Sequence, residues 1–399
     1  MTFDVIRFRE NFPALTASTV YLDTAATALK PAAMISATDD YYGKNTANAY
    51  RSLHQPAQQA TQKIEQTRQL IAQLINASDA DQIIWTKGTT ESINLVAQTY
   101  AKMHLKPGDE IIVSELEHHS NLVPWLILAE QTGAKIIKWP LNQACQLDKQ
   151  TFQQLLTAKT RVVAMTQMSN VTGYQPHLAE IVRLTHQHEA IIVVDGAQGI
   201  VHAPIDVTTL GIDFYAFSAH KLYGPTGLGI LYVKPSHLTQ MPVWQGGGKM
   251  LKTVSFEGFE PQPLPAKLEA GTPNIAAILG FHATLNWLKE WDRSAAEQHA
   301  LALAQLAEDK LIQFRGFQSY RDPDSPILSF NLDQIHHSDI AILLAEQHIA
   351  IRTGELCAQP LIKKLACTGV IRAAFAPYNT QQDVEQFIEA MAYAIDILS

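Results

Sequence analysis

The chain is poor in cysteine, in basic charge and in long apolar runs. Three cysteines among 399 residues, Cys145, Cys357 and Cys367, are too few and too scattered for a disulfide framework or for paired zinc-knuckle spacing. The formal net charge of −8 argues against nucleic acid as a partner, because that partner needs clustered lysine and arginine. No run reaches the ~18 apolar residues of a membrane span. Small molecules or proteins are the expected ligands.

The N-terminal segment lacks the pattern of a targeting peptide. Charged side chains at Asp4, Arg7, Arg9 and Glu10 interrupt its apolar residues, so there is no continuous apolar core of a signal peptide. Scarce cysteines favour a reducing compartment. We therefore expect a cytoplasmic protein with no membrane segment.

Between about residues 80 and 235, short apolar runs alternate with longer helical patterns. This rhythm is typical of strands joined by helical crossovers, which build a largely parallel sheet covered by helices on both faces. The β-branched run 191–194 is expected to be a central buried strand. The predicted strands are Ile83 to Trp85, Glu110 to Val113, Lys135 to Lys138, Arg161 to Met165, Ile191 to Val194 and Phe214 to Phe217.

After residue 285 the pattern changes to long helices, 295–313 and 380–398, around two predicted strands, Ile327–Leu332 and Ile349–Arg352. A chain of this length and 47% hydrophobic content suggests two domains. The sequence predicts an α/β protein with a large domain at residues 21–284 and a smaller α+β domain at residues 1–20 and 285–399.

Ligands of open parallel sheets bind beyond the carboxyl ends of the strands, so the residues after each predicted strand are informative. The segment Thr86–Glu91 reads as a strand end, a glycine turn and a helix start. Its backbone N–H groups and hydroxyls suit a phosphate, although such a helix start is also an ordinary helix cap.

Asp195 and Gln198 follow the run 191–194. A buried carboxylate needs a cation or several donors, and it also suits a helix cap or a metal ligand.

Lys221 ends the segment Ser218-Ala219-His220-Lys221, which follows the last of these predicted strands. A lysine there, taken alone, is usually a solvated surface residue. Together with the two preceding segments it offers an amine beside a phosphate cup and a carboxylate, which are the groups that a pyridoxal phosphate site requires. In this interpretation Asp195 keeps the ring nitrogen protonated and Lys221 is the Schiff-base lysine.

Seven segments in a fixed order and spacing carry a family resemblance. They are Thr86-Lys87-Gly88-Thr89-Thr90-Glu91, Glu117-His118-His119-Ser120-Asn121, Gln167-Met168-Ser169-Asn170-Val171, Val194-Asp195-Gly196-Ala197-Gln198, Ser218-Ala219-His220-Lys221, Glu269-Ala270-Gly271-Thr272-Pro273-Asn274 and Arg352-Thr353-Gly354-Glu355-Leu356-Cys357-Ala358. Over nearly the whole chain, they resemble the cysteine desulfurase and selenocysteine lyase branch of the class V aminotransferase fold. The chain is most similar to the bacterial cysteine sulfinate desulfinase type, which has a short cysteine loop.

The resemblance implies a homodimer of PLP-dependent transferase fold type I that binds pyridoxal 5'-phosphate. Lys221, Cys357 and His118 are the catalytic residues that it implies. The implied cofactor contacts are His118 stacked on the ring, Asp195 at the ring nitrogen, Gln198 at the phenolic oxygen, Thr89, Thr90, Ser218 and His220 at the phosphate, and Thr272 from the second subunit.

By the same resemblance, Asn170 and Arg372 bind the substrate carboxylate and Arg352 shapes the cysteine loop. A guanidinium suits a carboxylate, but an arginine near a C-terminal helix is more often a surface residue. Cys357 lies between Gly354 and a proline, so we expect it on an exposed loop, as a nucleophilic thiolate needs. Cys145 and Cys367 are interpreted as structural residues.

The activity implied is conversion of L-cysteine to L-alanine, with the sulfur held as a persulfide on Cys357 and passed to an acceptor protein. Cysteine sulfinate and selenocysteine are further expected substrates. The alternatives are a selenocysteine lyase, a cysteine sulfinate desulfinase, an aminotransferase, or a sulfur carrier with a silent cofactor site. No metal is expected, because the adjacent histidines 118–119 and 336–337 cannot face one ion as an i, i+4 pair can.

The chain departs from the family pattern near the nucleophile and at one distant position. Glu355 and Leu356 stand where histidine or glutamine is frequent, and Tyr50 stands where histidine is expected. An acid beside a thiol disfavours the thiolate, so we expect Glu355 to slow the reaction of Cys357 with cysteine.

Overall fold

The computed structural model describes residues 3–15 and 19–399. The chain divides into two compact units: a large unit of residues 33–167 and 176–286, and a small unit of residues 1–32, 168–175 and 287–399. The domain bounds predicted from the sequence stay a prediction.

The strands of the described residues are numbered in chain order. They are β1 (Val20–Tyr21), β2 (Ile83–Thr86), β3 (Glu110–Ser114), β4 (Lys135–Trp139), β5 (Thr160–Thr166), β6 (Ile191–Asp195), β7 (Phe214–Ser218), β8 (Gly229–Val233), β9 (Leu251–Ser255), β10 (Gly258–Pro261), β11 (Phe317–Ser319), β12 (Ile327–Leu332), β13 (Ile349–Ala350), β14 (Arg352–Gly354) and β15 (Val370–Ala374).

The helices follow the same order, and α4 continues through one π-helical turn at Ala97–Ala101 into α5. They are α1 (Val5–Arg9), α2 (Ala32–Gly43), α3 (Gln55–Leu74), α4 (Thr89–Val96), α5 (Lys102–His104), α6 (Val123–Thr132), α7 (Lys149–Leu155), α8 (Leu178–Gln187), α9 (Gly199–His202), α10 (Val207–Leu210), α11 (Pro235–Leu238), α12 (Ile275–Leu288), α13 (Arg293–Leu311), α14 (His337–Glu346), α15 (Gln359–Lys364) and α16 (Gln381–Leu398).

The large unit contains a seven-stranded sheet of order β2-β8-β7-β6-β5-β3-β4. All six strands predicted in this region are confirmed, and β6 is the central strand, with Ile192, Val193 and Val194 fully buried. The sequence analysis missed β8, which runs antiparallel to both of its neighbours. Two antiparallel pairings in succession leave β2 parallel to β7. The carboxyl ends of β2, β6 and β7 therefore lie at one edge of the sheet.

Apolar helix faces cover this sheet. Leu95 on α4 and Trp125 on α6 belong to one buried cluster with sheet residues such as Val113, Val193 and Phe214. Burial of one such side chain stabilises the fold by roughly 1.5–3 kcal/mol. The core thus fixes the start of α4 relative to the strand ends, which is where the predicted cofactor groups stand.

The small unit contains a four-stranded antiparallel sheet of order β11-β12-β15-β14, and β1 pairs separately with β13 in parallel. The α16 helix begins with a capping box between Thr380 and Asp383. The prediction of one strand at 349–352 is wrong, because β13 and β14 belong to different sheets. Within the described residues, no helix is long and apolar enough to cross a membrane.

Candidate active site

The turn between β2 and α4 has the geometry of an anion-binding helix start. Gly88 is the N-cap of α4 and has no side chain to occupy the free N–H groups. Thr89 N donates to Ser218 Oγ at 2.9 Å, and Thr89 Oγ1 lies 2.8 Å from the same oxygen. Thr90 is exposed, and its Oγ1 lies 2.7 Å from Ser120 Oγ. Hydroxyls and backbone N–H groups from three segments therefore converge at the end of the sheet.

Gly229 holds this turn close to the neighbouring strands. It pairs with Thr86 of β2 on one side and with Ser218 of β7 on the other. A Cβ atom on Gly229 would lie 2.3 Å from the Gly88 nitrogen, which no side chain can tolerate. Glycine at 229 is therefore needed for the close approach of the turn to Ser218.

Asp195 ends the central strand and is 4% exposed. Its Oδ1 accepts a hydrogen bond from Ala197 N at 2.9 Å. Burial raises the pKa of the carboxyl group, and the nearby charge of Lys221 acts in the opposite direction. An amine and a buried carboxylate are thus close enough to interact, and Gln198 is buried on the same turn.

Three further predicted residues lie at the same edge of the sheet. Half-buried His220 and Lys221 follow β7. His118 caps a short 3-10 turn, and its Nδ1 accepts a hydrogen bond from Ser120 N at 3.1 Å. Ser120 also contacts Thr90, so the predicted stacking residue and a predicted phosphate ligand share one partner.

These groups fit pyridoxal 5'-phosphate. The space at Gly88, beside the Thr89 and Ser218 hydroxyls, is open, since a Cβ built on Gly88 would have one neighbour within 4 Å, Ser218 Oγ at 3.4 Å. Asp195 is a buried carboxyl group whose ionised form a protonated ring nitrogen would stabilise. Lys221 supplies the amine that an aldehyde requires.

Glu117 is a buried residue that the sequence analysis noted only as part of a motif. It accepts hydrogen bonds from Asn121 Nδ2 at 2.6 Å, from Thr166 N at 2.9 Å and from the Ser114 hydroxyl. Burial, together with a smaller effect of the Asp195 charge, raises the pKa of Glu117 to about 8, although its hydrogen bonds act in the opposite direction. The carboxyl group of Glu117, which precedes His118 in the sequence, therefore keeps its proton at neutral pH.

Thr272 belongs to a different segment of the large unit, residues 269–274. It is exposed and lines a cavity of about 430 Å³ together with Lys87 and Trp244. The same segment is anchored by Glu269, which forms a buried ion pair with Arg68 at 2.8 Å. The role of Thr272 toward a second subunit stays a prediction.

In the small unit, Arg372 lies on β15 and is 2% exposed. The general tendency of an arginine near a C-terminal helix to lie on the surface therefore does not hold for Arg372. Its Nη1 donates to the Asn170 carbonyl oxygen at 2.9 Å, and its Nη2 donates to Asp23 Oδ1 at 3.1 Å. Burial lowers the pKa of Arg372, and Asp23 opposes that shift. Within residues 3–15 and 19–399, its Nε atom has no hydrogen-bond partner.

Cys357 is exposed, as predicted. It follows Leu356 on the loop between β14 and α15, and both residues have positive φ angles, 52° and 56°. Asn170 Nδ2 donates to the Leu356 carbonyl oxygen at 2.8 Å. Left-handed backbone in residues with side chains is unfavourable and is concentrated at functional sites.

Asp23 is a residue that the sequence analysis missed. Besides its bond to Arg372, its Oδ2 lies 3.8 Å from Nη1 of Arg352, whose side chain is half exposed. An acidic residue after the short apolar run 20–22 is the same signal that identified Asp195 at the end of β6. Arg352 and Arg372 thus share one carboxylate.

No group of three or more histidine, cysteine or acidic side chains that could hold a metal ion occurs in the described part of the chain. Cys145 and Cys367 are both half-buried. Cys367 Sγ lies 3.8 Å from the Ile362 carbonyl oxygen, which agrees with a packed position.

The chain belongs to the class-V aminotransferase family, whose model matches residues 20–387. It is 52% identical to the cysteine desulfurase CsdA of Escherichia coli strain K12, with 99% of each chain covered. It is 43% identical to a probable cysteine desulfurase of Vibrio cholerae over the full length of both chains. The solved structure of Escherichia coli CsdA superposes with a TM-score of 0.96 at 51% identity and covers 100% of both chains.

These similarities confirm the predicted family resemblance and the α/β fold class of PLP-dependent transferase fold type I. The protein is an enzyme, and its cofactor is pyridoxal 5'-phosphate. The roles of the individual site residues remain predictions.

Proposed function

We propose that the enzyme converts L-cysteine to L-alanine and keeps the sulfur as a persulfide on Cys357. The observation that carries this proposal is the exposed thiol on a left-handed loop that is hydrogen-bonded, through Asn170, to the buried cation Arg372. Relatives at 52% and 43% identity are named cysteine desulfurases, which agrees with this chemistry.

Side chains of the large unit hold the cofactor in this proposal. When bound, pyridoxal 5'-phosphate acts as an electron sink for the substrate carbon. Lys221 attaches to it and moves the proton at the substrate Cα. The remaining contacts are Asp195 at the ring nitrogen, Gln198 at the phenolic oxygen, His118 on the ring face, and Thr89, Thr90, Ser218 and His220 at the phosphate.

Side chains of the small unit bind the substrate. Arg372 offers its guanidinium group to the substrate carboxylate, and a charge-assisted contact of this kind contributes about 1.5–3 kcal/mol. Asn170 donates its amide to the same group. Arg352 orients the strand that leads to the cysteine loop.

Sulfur transfer requires one bond to form as another breaks. The Cys357 thiolate forms an S–S bond with the substrate sulfur while the substrate Cβ–S bond breaks. The bonding electron pair stays with Cβ, which takes up one proton, and the carbon fragment leaves as alanine. Thiolate, cysteine and one proton thus give a persulfide and alanine, and the persulfide sulfur then passes to an acceptor protein.

In this proposal the enzyme is a cytoplasmic homodimer. Thr272 of each subunit binds the phosphate of the cofactor held by the other subunit. The exposure of Thr272 supports it, because an exposed side chain is available to a second copy. Residues 21–284 act as the cofactor domain, and residues 1–20 and 285–399 act as the domain of the cysteine loop.

Substitution Cys357→Ser tests the proposal with three substrates. Cysteine sulfur needs a sulfur nucleophile, whereas cysteine sulfinate can release sulfur dioxide without attack, and selenium leaves more readily because its bond to carbon is weaker. We expect alanine formation from cysteine to vanish, most sulfinate release to persist and part of the selenium release to remain. Mass spectrometry of the parent enzyme after exposure to cysteine detects the persulfide on Cys357.

Cys367→Ser is the matched control, because Cys367 is half-buried and lies against a carbonyl oxygen. It should retain all three activities. Equal loss of all three in Cys357→Ser would show that Cys357 acts in binding or proton transfer. Undiminished cysteine turnover would assign the nucleophile to another residue.

A further inference from the structure

Asn170 takes part in two hydrogen bonds that connect a buried cation to the loop of the thiol. Its carbonyl oxygen accepts from Arg372 Nη1 at 2.9 Å, and its Nδ2 donates to the Leu356 carbonyl oxygen at 2.8 Å. Asn170 is itself 7% exposed. Asn170 therefore makes the two contacts with different groups: its backbone carbonyl accepts from Arg372 of the predicted carboxylate site, and its side-chain amide donates to the residue that precedes Cys357.

The loop requires restraints of this kind to keep its shape. Leu356 and Cys357 are successive residues with positive φ, and neither is glycine. Residues with a Cβ atom leave that region unless surrounding contacts hold them there. Further restraints are the buried Leu356 side chain, 6% exposed, and the bond from Ala358 N to the Glu355 carbonyl oxygen at 2.9 Å.

We infer that Asn170 is a positioning residue for the Cys357 thiol as well as a ligand of the substrate carboxylate. The inference rests on the proposed function of Cys357 and adds a second task for Asn170. Its amide group keeps the Leu356–Cys357 turn left-handed and so aims the thiol. A primary amide has two N–H donors, so one holds the Leu356 carbonyl while the other stays available to the substrate. Substrate binding and thiol placement then depend on one side chain.

Backbone hydrogen exchange in the holoenzyme measures the loop without any turnover. Asn170→Ala and the nearly isosteric Asn170→Asp both remove the donor to Leu356, so both should accelerate exchange in a peptide covering residues 353–362. An ionised aspartate fills the same space without donating. Faster exchange in the alanine variant alone would mean that Asn170 only fills space, and unchanged exchange in both would mean that it restrains nothing; either result overturns the inference.

The kinetics of two substrates separate positioning from carboxylate binding. L-Cysteine and L-cysteine sulfinate carry the same carboxylate, so Asn170→Ala should raise KM for both. Because only cysteine requires the thiol, its maximal rate should fall roughly ten-fold further than that of sulfinate, as one lost hydrogen bond allows. Equal falls in the two maximal rates would contradict a role in positioning.

Asn331→Ala is the control for simple loss of an amide–carbonyl bond. In the same unit, Asn331 Nδ2 donates to the Gly369 carbonyl oxygen at 2.9 Å. Loop exchange and both maximal rates should keep their parent values, and a change equal to that of Asn170→Ala would overturn the inference. Failure of the proposed function looks different, because the parent enzyme would then form no persulfide on Cys357, whereas loop exchange would still report on the Asn170 bond.

Discussion

The two units hold their functional groups by different means. In the large unit, Asp195 ends a strand of the buried sheet, and Thr89 and Lys221 come shortly after two other strands of it, so the core places them. In the small unit, Arg372 and Asn170 are joined by a hydrogen bond between segments far apart in the chain. The cofactor groups therefore rest on a scaffold of regular strands, whereas the sulfur-handling groups depend on individual polar contacts.

Lys221→Ala gives the largest expected effect and tests the large-unit half of this comparison. Without this amine, the cofactor has no covalent attachment to the chain and the Cα proton has no base, and general-base catalysis typically contributes ~10²–10⁴-fold. We expect loss of multiple turnover and of the absorption band of the attached cofactor. The fold should survive, because the strands rather than the lysine form the core.

Borohydride reduction followed by peptide mapping measures the attachment directly. Lys138→Ala is a suitable control, since Lys138 lies on β4 with 64% of its side chain exposed. If reduction still links the cofactor to the Lys221→Ala chain, another lysine performs this role.

Arg372→Ala is next in expected size and tests the small-unit half. Loss of a charge-assisted contact of about 1.5–3 kcal/mol corresponds to a roughly ten- to hundred-fold higher KM for every amino-acid substrate. The variant also leaves Asp23 without its 3.1 Å partner, so we expect lower thermal stability. Steady-state kinetics with cysteine and with cysteine sulfinate measure the change. An unaltered KM for both would place the carboxylate site elsewhere.

Glu117→Gln removes a buried titratable group of the large unit, and its effect on stability depends on pH. Burial raises the pKa of Glu117 from 4.5 to about 8. Between these values the folded chain holds a proton that the unfolded chain has lost, so the stability of the fold decreases as the pH rises from about 4.5 to about 8. Glutamine cannot titrate, and the variant lacks this decrease.

The free energy of unfolding of parent and Glu117→Gln, measured between pH 5 and pH 8, tests this. Glutamine places a donor opposite Asn121 Nδ2, so the variant is less stable at low pH. The deficit should shrink toward pH 8 by at least ~1.4 kcal/mol, the equivalent of one pKa unit. A deficit that is constant with pH would show that Glu117 is ionised throughout.

The same comparison explains what the sequence could predict. Residues such as Asp195 and Lys221 follow apolar runs at strand ends, and this local pattern can be recognised in the amino-acid sequence. The direction of β8 is invisible there, because a short apolar run carries no sign of parallel or antiparallel pairing. The position of Lys221 after a strand was thus predictable. The pairing of β8 with β2 and β7, which brings Lys221 near the turn between β2 and α4, was not.

In the small unit, the local patterns were less informative. The run 349–352 has the composition of one strand, yet its two halves join different sheets, because pairing partners decide where a strand breaks. The burial of Arg372 could not be predicted from its neighbours in sequence, since it depends on Asp23 and Asn170, which are distant in the chain. Only the family resemblance indicated its role before the fold was known.

The double pairing of Gly229 has a consequence for the order in which the protein folds. Its contact with Ser218 closes a short hairpin that contains Lys221, whereas its contact with Thr86 joins parts of the chain separated by most of the large unit. Contacts near in sequence lose little chain entropy and form early, and distant ones form late. The hairpin that contains Lys221 is therefore expected to form before the turn at Gly88 packs against it. The newly made chain would then bind its cofactor only near the end of folding.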